Sequence, residues 1–553
     1  MNTPSSSSSG RMPVPRRGII SFLQNTINPS LPRSSFRCNP NVPRLLVPSR
    51  PSSWQPDYHF YRPYQSTREL QIVNVAHGYP RVAVSDNYMA SVKRTFEQIF
   101  SEENGKEKKF KPNSDSSSVD KFHNERRGEE HKGNKDLSTF KRKWRHVESK
   151  DAAKRNLKDF QFSVLCYNVL AQGLLDGNSY LYKQVHPQFL DWNFRKANLL
   201  QEMRCLNSDI ICLQEVESEH YQNFFQPSLA KNGYTGIYKK RTGNKSDGCA
   251  IFFKSNKFQL VVSRVVSYYR RHIPLLDRDN VGIIVLLKSV DEPQLNLCVA
   301  TTHLLFNPRR GDIKLAQLGV FLAEIDQVSH YRLEDGTFAR CPVVLCGDMN
   351  SVPQSPLSEF IQKGTLDFKD IPCGDISGQT EGRRGAVRFL NRPAIPQALK
   401  ITKDCQYMSA LEERGEGRSK QEESKSAEKS QGEREEKNED GEEEEEEPWK
   451  EVASSNGRGR SEIIRHPFSF SSVYSLDRDN REITSNHSRT NCMVDYIYYS
   501  SSSNWPSVKT RGGLELLSTL RLFTDDEATA MGGLPNRIWS SDHFSLMACF
   551  SLN

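Results

Sequence analysis

The sequence predicts an α/β domain in which β-sheets pack on one another with helices outside. Three observations carry that reading. From Phe160 onward, short apolar runs recur between polar or Gly/Pro breaks, at strand length. Only two long stretches show helical spacing, 192–206 and about 311–329. Strands outnumber helices and do not alternate strictly with them, which favours packed sheets with helices on their outer faces.

Composition bounds the rest. The chain has 553 residues and a formal charge of +8, and at 36% hydrophobic residues it is too polar to be globular throughout. Its twelve cysteines form no CxxC pair and no Cys/His zinc spacing. Cys166, Cys212, Cys298 and Cys549 sit inside apolar runs, where cysteine packs as a small hydrophobe. This reads as a reduced, intracellular protein, cytoplasmic or nuclear. No run approaches the length of a membrane span, and nothing signals an obligate oligomer.

Residues 1–158 carry little periodicity and are expected to be a disordered basic leader. Its first 56 residues hold seven Arg and no acid, a pattern shared by mitochondrial transit peptides and plain disordered leaders. Pro13, Pro15, Pro29 and Pro32 interrupt any amphipathic helix there. KRKWRH at 141–146 reads as a nuclear signal, an RNA-contacting tether or a solvated linker.

The folded part is expected over 159–553. Strands are predicted at 162–170, 209–216, 248–254, 281–288 and 296–303. The first helix carries Leu199, Leu200, Met203 and Leu206 on one face; the second carries Ile313, Gln317, Leu318, Phe321, Leu322, Ile325 and Val328 near helical spacing. A further strand spans Cys341 to Cys346. An acidic insertion is expected at about 406–462. Between 411 and 447 it holds 17 acids and 7 bases, so the remainder of the chain carries +18. Such a block stays disordered, and the basic remainder suits a polyanionic partner. Strand-like patterns resume at 468–475 and 494–500, and a last strand follows Ser540-Ser541-Asp542-His543.

The organising stretch is CPVVLCGDMNSVPQSP, residues 341–356. Its strand stops at Gly347 and offers Asp348 and Asn350 two residues apart on one side of its C-terminal lip. Elsewhere Asn168, Glu215, His303, Asp495, Asp542 and His543 also stand at strand ends or starts. Each alone has an ordinary reading as a turn cap, a rim charge or a hydrogen-bonded histidine. Together they place groups suited to metal or phosphate at nearly every strand end. The candidate ligands Asn168, Glu215, Asp348, Asn350 and Asp542 are all oxygen donors, which suits Mg²⁺. Phosphodiester hydrolysis needs an activated water and charge neutralisation on the phosphoryl oxygens. A carboxylate beside one of the two histidines would fix its tautomer.

The ordered set CYN, LQE, TTH, GDMN, VDYI, SDH resembles the endonuclease/exonuclease/phosphatase superfamily. Within it the chain is most similar to the carbon-catabolite-repressor-4/nocturnin group and its angel branch, through RTGNKSDGCAIFFK (241–254), LLDRDNVG (275–282) and THLLFNPRRGDIKLAQL (302–318). The resemblance covers about 160–405 and 466–553. It implies a two-sheet β-sandwich flanked by helices, with the active site at one end between the sheets. It implies Mg²⁺, with Mn²⁺ as the alternative, held chiefly by Glu215 with Asn168 and Asp542 close by. Asp348, assisted by Asn350, would activate water. His303 and Asn350 would hold phosphoryl oxygens, and His543 paired with Asp495 would stabilise the pentavalent phosphorus. Pro308 would contact a base, and Arg309 and Arg310 are extra phosphate grips or surface charge at a helix start.

The implied partner is an RNA 3′ end, and the implied activity is removal of a 2′,3′-cyclic phosphate to leave two hydroxyls. The alternatives are a poly(A)-shortening 3′–5′ exoribonuclease and a non-catalytic RNA-binding protein that regulates mRNA stability. The group's poly(A) nucleases are expected to clamp adenine with an aromatic just upstream of the DYI strand. HSRTNCMV (487–494) holds none. Lipid or inositol phosphatase activity fits the branch-specific strings less well.

Overall fold

The computed structural model describes Phe96 and residues 140–147, 160–379, 387–416, 462–477, 479–488, 490–500 and 513–553. Most of the expected leader, and 417–461 of the expected acidic insertion, lie outside the described residues.

Two large sheets form the frame. The strands that build them are β1 (Trp144–His146), β2 (Phe160–Asn168), β3 (Ile210–Glu217), β4 (Tyr234–Lys240), β5 (Asp247–Lys254), β6 (Phe258–Ser267), β7 (Val281–Ser289), β8 (Asn296–His303), β9 (Val343–Asp348), β10 (Phe470–Ser472), β11 (Asp495–Ser500), β12 (Leu514–Leu520) and β13 (Leu546–Leu552). The first sheet runs β1-β12-β13-β2-β3-β5-β4 and the second runs β10-β11-β9-β8-β7-β6. Each contains one parallel pair, β2 with β3 and β8 with β9, and is otherwise antiparallel.

This topology gathers the polar groups. The parallel strands of a pair end at the same rim, and the antiparallel neighbours β13 and β11 begin there. Residues at the C-terminal ends of β2, β3, β8 and β9, and residues just before β13 or at the start of β11, therefore share one end of the sandwich.

Side-chain alternation does the rest. Val164 and Cys166 of β2 point inward and join the main core with Ile210 and Cys212 of β3 and with Val344 and Cys346 of β9. Leu165 and Tyr167 point outward and join Leu199, Leu200, Met203 and Leu206 of the helix spanning Trp192–Leu206. The same alternation carries Asn168 and Asp348 inward at the lip.

Two helices cover the outer faces. The short helix α1 (Gln172–Gly177) precedes α2 (Trp192–Leu206), which starts where the Asp191 carboxylate accepts from the N–H of Asn193 and ends at left-handed Asn207. The second cover is α3 (Gly311–Ser329). Gly282 of β7 leaves room for its Phe321 ring, which would lie 2.5 Å from an added Cβ. Nearly every residue of α3 is buried, including Lys314, Gln317 and Asp326. It is sandwiched between the second sheet and the segments carrying Ile395 and Ile464, which approach Gly319.

Two expected boundaries move. Residues 140–147 are not leader. Trp144–His146 pairs with β12, and the buried Arg142 donates from Nε to the Arg521 carbonyl at 2.8 Å and from Nη1 to Ser545 Oγ at 2.9 Å. Basic residues in a charged stretch read as solvated, yet this one finds fixed acceptors inside the sheet. The insertion also begins later than 406. Tyr407 Oη donates to Glu324 at 2.8 Å, and Arg414 Nη2 donates to the fully buried Asp326 at 2.9 Å. Among the described residues no helix is long and apolar enough to cross a membrane.

Candidate active site

The inner faces of both sheets end in polar residues that meet at the rim. Asn168 closes β2, and its Nδ2 donates to Glu215 Oε1 at 3.0 Å and to Asp348 Oδ2 at 3.1 Å. One amide thus ties a carboxylate of the first sheet to one of the second. Its Oδ1 accepts from the Leu170 N–H at 3.0 Å. That backbone donor fixes which end of the amide is oxygen.

Glu215 reaches the site through a bulge. The register of β3 against β5 jumps between Leu213 and Val216, and Glu215 has φ 57°. Strict alternation would send it outward, since its neighbour Gln214 points inward to Thr301 at 2.9 Å. The extra residue and its left-handed backbone turn the carboxylate back toward the rim, where Oε2 accepts from the Ala171 N–H at 3.0 Å. Burial pushes the Glu215 carboxyl above its ordinary value; Asp542 and Asp247 add to this, and His303 and Asn168 oppose it.

Asp348 lies opposite His303 of β8 on one side and Asp495 of β11 on the other. Gly347 makes this close approach feasible: a Cβ there would sit 2.1 Å from the Thr302 carbonyl oxygen. Asp348 Oδ1 accepts from the Asn350 N–H at 2.9 Å, and Oδ2 lies 3.5 Å from His303 Nε2. Asn350 is left-handed at φ 46°, and its Nδ2 donates to the Leu304 carbonyl at 3.0 Å. Its own carbonyl accepts from the buried Lys314 Nζ at 2.6 Å. Burial pushes that ammonium down to about 7.

His543 Nδ1 stands 2.7 Å from Asp495 Oδ2. Burial alone would push the imidazole down, but Asp495, with Asp542 and Asp348, holds it well above its ordinary value. These carboxylates favour the protonated ring, with Nδ1 engaged by Asp495 and Nε2 3.9 Å from Asp542 Oδ1. Asp495 is itself held by Thr484, whose Oγ1 accepts its N–H at 3.1 Å. Asp542 Oδ2 accepts from the Tyr182 phenol at 2.7 Å.

Three atoms of the cluster are buried without a hydrogen-bond partner: His303 Nδ1, Asp495 Oδ1 and Asp542 Oδ1. Buried polar groups are seldom left so, and a water, an ion or a substrate group would satisfy them. Glu215, His303 and Asp348 each offer a ligand atom, all within 4.8 Å of one another, and so do Asp348, Asp495 and His543. These oxygen-rich sets fit a hard divalent cation. The cluster forms the floor of a cleft of about 1230 Å³ whose walls include Tyr180, Lys245, Phe306, Pro308 and Arg309.

The family model for the endonuclease/exonuclease/phosphatase family matches residues 165–543, which contains every one of these groups. The chain belongs to that family. It is 43% identical over 409 residues to protein angel homolog 2 of Bos taurus, covering 71% of this chain and 70% of that one. It is 40% identical over 450 residues to protein angel homolog 2 of Homo sapiens, covering 76% and 77%. Among solved structures it is similar to ANGEL2, a 2′,3′-cyclic phosphatase, at 39% identity and TM-score 0.58, covering 74% of this chain and 97% of that one. The complex of ANGEL2 with adenosine-2′,3′-vanadate matches at 40% identity and TM-score 0.58, covering 74% and 99%.

Most of the residues expected of a family member converge here: Asn168, Glu215, His303, Asp348, Asn350, Asp495, Asp542 and His543 form the cluster, and Pro308 and Arg309 line the cleft. Two carry further contacts. Asn168, which the resemblance places close to the metal, accepts the Leu170 N–H on its side-chain oxygen and donates from Nδ2 to two carboxylates. Arg310 does not line the cleft. Its guanidinium grips Asp312 through Nε and Nη2, both at 2.9 Å, at the start of α3.

Sequence reasoning missed Tyr182, Thr484, Lys314 and Arg195. Arg195 is buried beneath the rim and donates to the carbonyls of Val169, Leu170 and Ser540, each at 2.7 Å. The one available signal was Lys314 itself, a cation among the buried positions of α3. Tyr182 lies in a segment with no periodic pattern.

Proposed function

We propose that this family member is a Mg²⁺-dependent phosphoesterase that removes 2′,3′-cyclic phosphate from RNA ends, leaving two hydroxyls. The observation that carries the reading is the cluster joining both sheets, complete in a chain that is 39–40% identical to a 2′,3′-cyclic phosphatase. Glu215 is the residue that would chiefly hold the cation, with Asp542 close enough to act on its carboxyl. A bound divalent ion would neutralise phosphoryl charge and lower the pKa of a coordinated water.

The chain's own groups supply the rest. Asp348, fixed by Asn168 and the Asn350 N–H, takes the proton of the attacking water. The His543 imidazolium donates from Nε2 to a phosphoryl oxygen as charge builds on phosphorus, while Asp495 holds its other nitrogen. Nδ2 of Asn350 and the ring of His303 face the remaining phosphoryl oxygens. One water adds to phosphorus and breaks one ribose ester bond, leaving a monoester. A second water breaks the other and releases inorganic phosphate.

The cleft walls suit a nucleic acid. Phe306 is 62% and Tyr180 45% exposed, and exposed rings beside unpaired cations are how single strands are held. These rings come from elsewhere than the stretch upstream of Asp495, where the resemblance points for one. Arg309 and Lys245 supply the cations; among the described residues no side-chain partner engages either.

The test uses the full chain with Mg²⁺ and one RNA in three forms, ending in a cyclic phosphate, in a hydroxyl after oligo(A), or in a hydroxyl after mixed sequence. Loss of the cyclic end without shortening is expected, and Glu215→Ala should abolish it. Stepwise shortening of the A-tail would establish exonuclease activity instead. Full activity in Glu215→Ala would remove the metal-site assignment.

A further inference from the structure

Tyr182 stands out among the residues that touch the cluster. It belongs to a small separate core with Leu170, Leu175 and Val185, so its ring is fixed independently of the sheets. It is 3% exposed, and its phenol commits Oδ2 of Asp542 at 2.7 Å while Oδ1 stays buried without a hydrogen bond, 3.9 Å from His543 Nε2. The other two carboxylates differ, for each accepts a hydrogen bond on both oxygens. Asp348 Oδ1 is committed to the Asn350 N–H and Glu215 Oε2 to the Ala171 N–H. Their remaining oxygens accept from the Asn168 amide. Asp542 takes its one hydrogen bond from a phenol brought in from a distant segment and has no second donor on Oδ1.

We propose that Tyr182 is a positioning residue that restricts Asp542 to single-oxygen ligation and so makes the site discriminate Mg²⁺ from Ca²⁺. The inference rests on the reading of Asp542 as a metal-facing carboxylate. The physical reason lies in coordination preference. Mg²⁺ is octahedral with short bonds and keeps several waters, so one oxygen per carboxylate suffices. Ca²⁺ takes more ligands at longer range and favours bidentate carboxylates. A carboxylate with one oxygen in a phenol hydrogen bond can turn bidentate only by breaking that bond. Ca²⁺ therefore loses a contact that Mg²⁺ never needed.

The test is calorimetric titration of the metal-free full chain with Mg²⁺ and with Ca²⁺, for wild type, Tyr182→Phe and Asp542→Asn. Tyr182→Phe is expected to tighten Ca²⁺ binding by about tenfold, the worth of one hydrogen bond to a charged group, with Mg²⁺ binding changed far less. Asp542→Asn is expected to weaken both metals. An unchanged Mg²⁺/Ca²⁺ ratio in Tyr182→Phe, with Asp542→Asn weakened, overturns the role of Tyr182 alone. Unchanged binding in Asp542→Asn overturns the placement of Asp542 on which it rests. A second measurement does not depend on the folding of Tyr182→Phe. In the infrared difference between Ca²⁺-loaded wild type and Asp542→Asn, the Asp542 carboxylate stretches should be monodentate. A bidentate pattern overturns the proposal.

Discussion

Replacing Asp495 by asparagine changes one charge and almost no volume. In the native protein His543 Nδ1 stands 2.7 Å from the carboxylate. The amide oxygen introduced by Asp495→Asn can still accept from that nitrogen, so the ring keeps its orientation. What goes is the Coulomb attraction. At that separation and an effective dielectric near 20 it is worth roughly 6 kcal/mol before screening by neighbours. Burial is the largest influence on His543 and acts in the opposite direction. Without Asp495 the balance tips, and the imidazole becomes neutral at neutral pH. Positioned acid–base groups contribute about 10²–10⁴ in rate, so kcat/KM at pH 7 should fall by about 10² or more. The sign of the pH effect follows from the raised value. In wild type the pair's contribution is complete below the ordinary histidine range, persists through neutrality, and is lost only as pH rises through the elevated value. In Asp495→Asn the loss should occur at lower pH, with partial recovery of activity toward about pH 5, below the ordinary histidine range. The assay is a pH series of kcat/KM on a cyclic-phosphate RNA, with far-UV spectra to establish folding. A variant profile that overlays wild type would refute the imidazolium role.

Gly347→Ala should be strongly destabilising, by about 3 kcal/mol or more, because its Cβ would fall 2.1 Å from the Thr302 carbonyl between paired strands; urea unfolding measures this, and a melting curve like wild type would contradict the geometry. Lys314→Met removes the donor to the Asn350 carbonyl and should lower kcat about tenfold, with less effect on KM, by loosening the turn that carries Asp348 and Asn350. It should also change the pH dependence of stability. The folded Lys314 releases its proton near pH 7, whereas the unfolded chain holds it to about 10.4, so wild type gains stability between those limits. The variant should lack that rise, and an equal slope in both would place the Lys314 proton elsewhere.

Local pattern was enough for much of the fold. The helices at 192–206 and 311–329 and the strands closing at Asn168, His303 and Asp348 were legible because apolar periodicity survives in any context. The strands β4, β6 and β12 were not, for their faces are only partly covered: β6 exposes Val261, Val262 and Val265 and so lacks a clean alternation. Arg142 and Arg414 read as solvent-facing charge because sequence does not show the acceptors waiting for them.

The sequence by itself determined which chemistry the chain can offer: oxygen donors and two histidines at strand ends, no zinc set, and a chain that is basic outside its acidic insertion. Tertiary structure decided how those groups are used. Asn168 and Asp348 are 180 residues apart, and Tyr182 and Asp542 are 360 apart. Whether such residues meet depends on strand order and register, which local periodicity does not encode. The bulge that turns Glu215 inward, the amide of Asn168 that faces two carboxylates, and the capture of Arg310 by Asp312 are all outcomes of that assembly. The physical reason is that burial and side-chain alternation are set residue by residue, whereas a hydrogen-bond partner at the rim is set by which strands the fold places side by side.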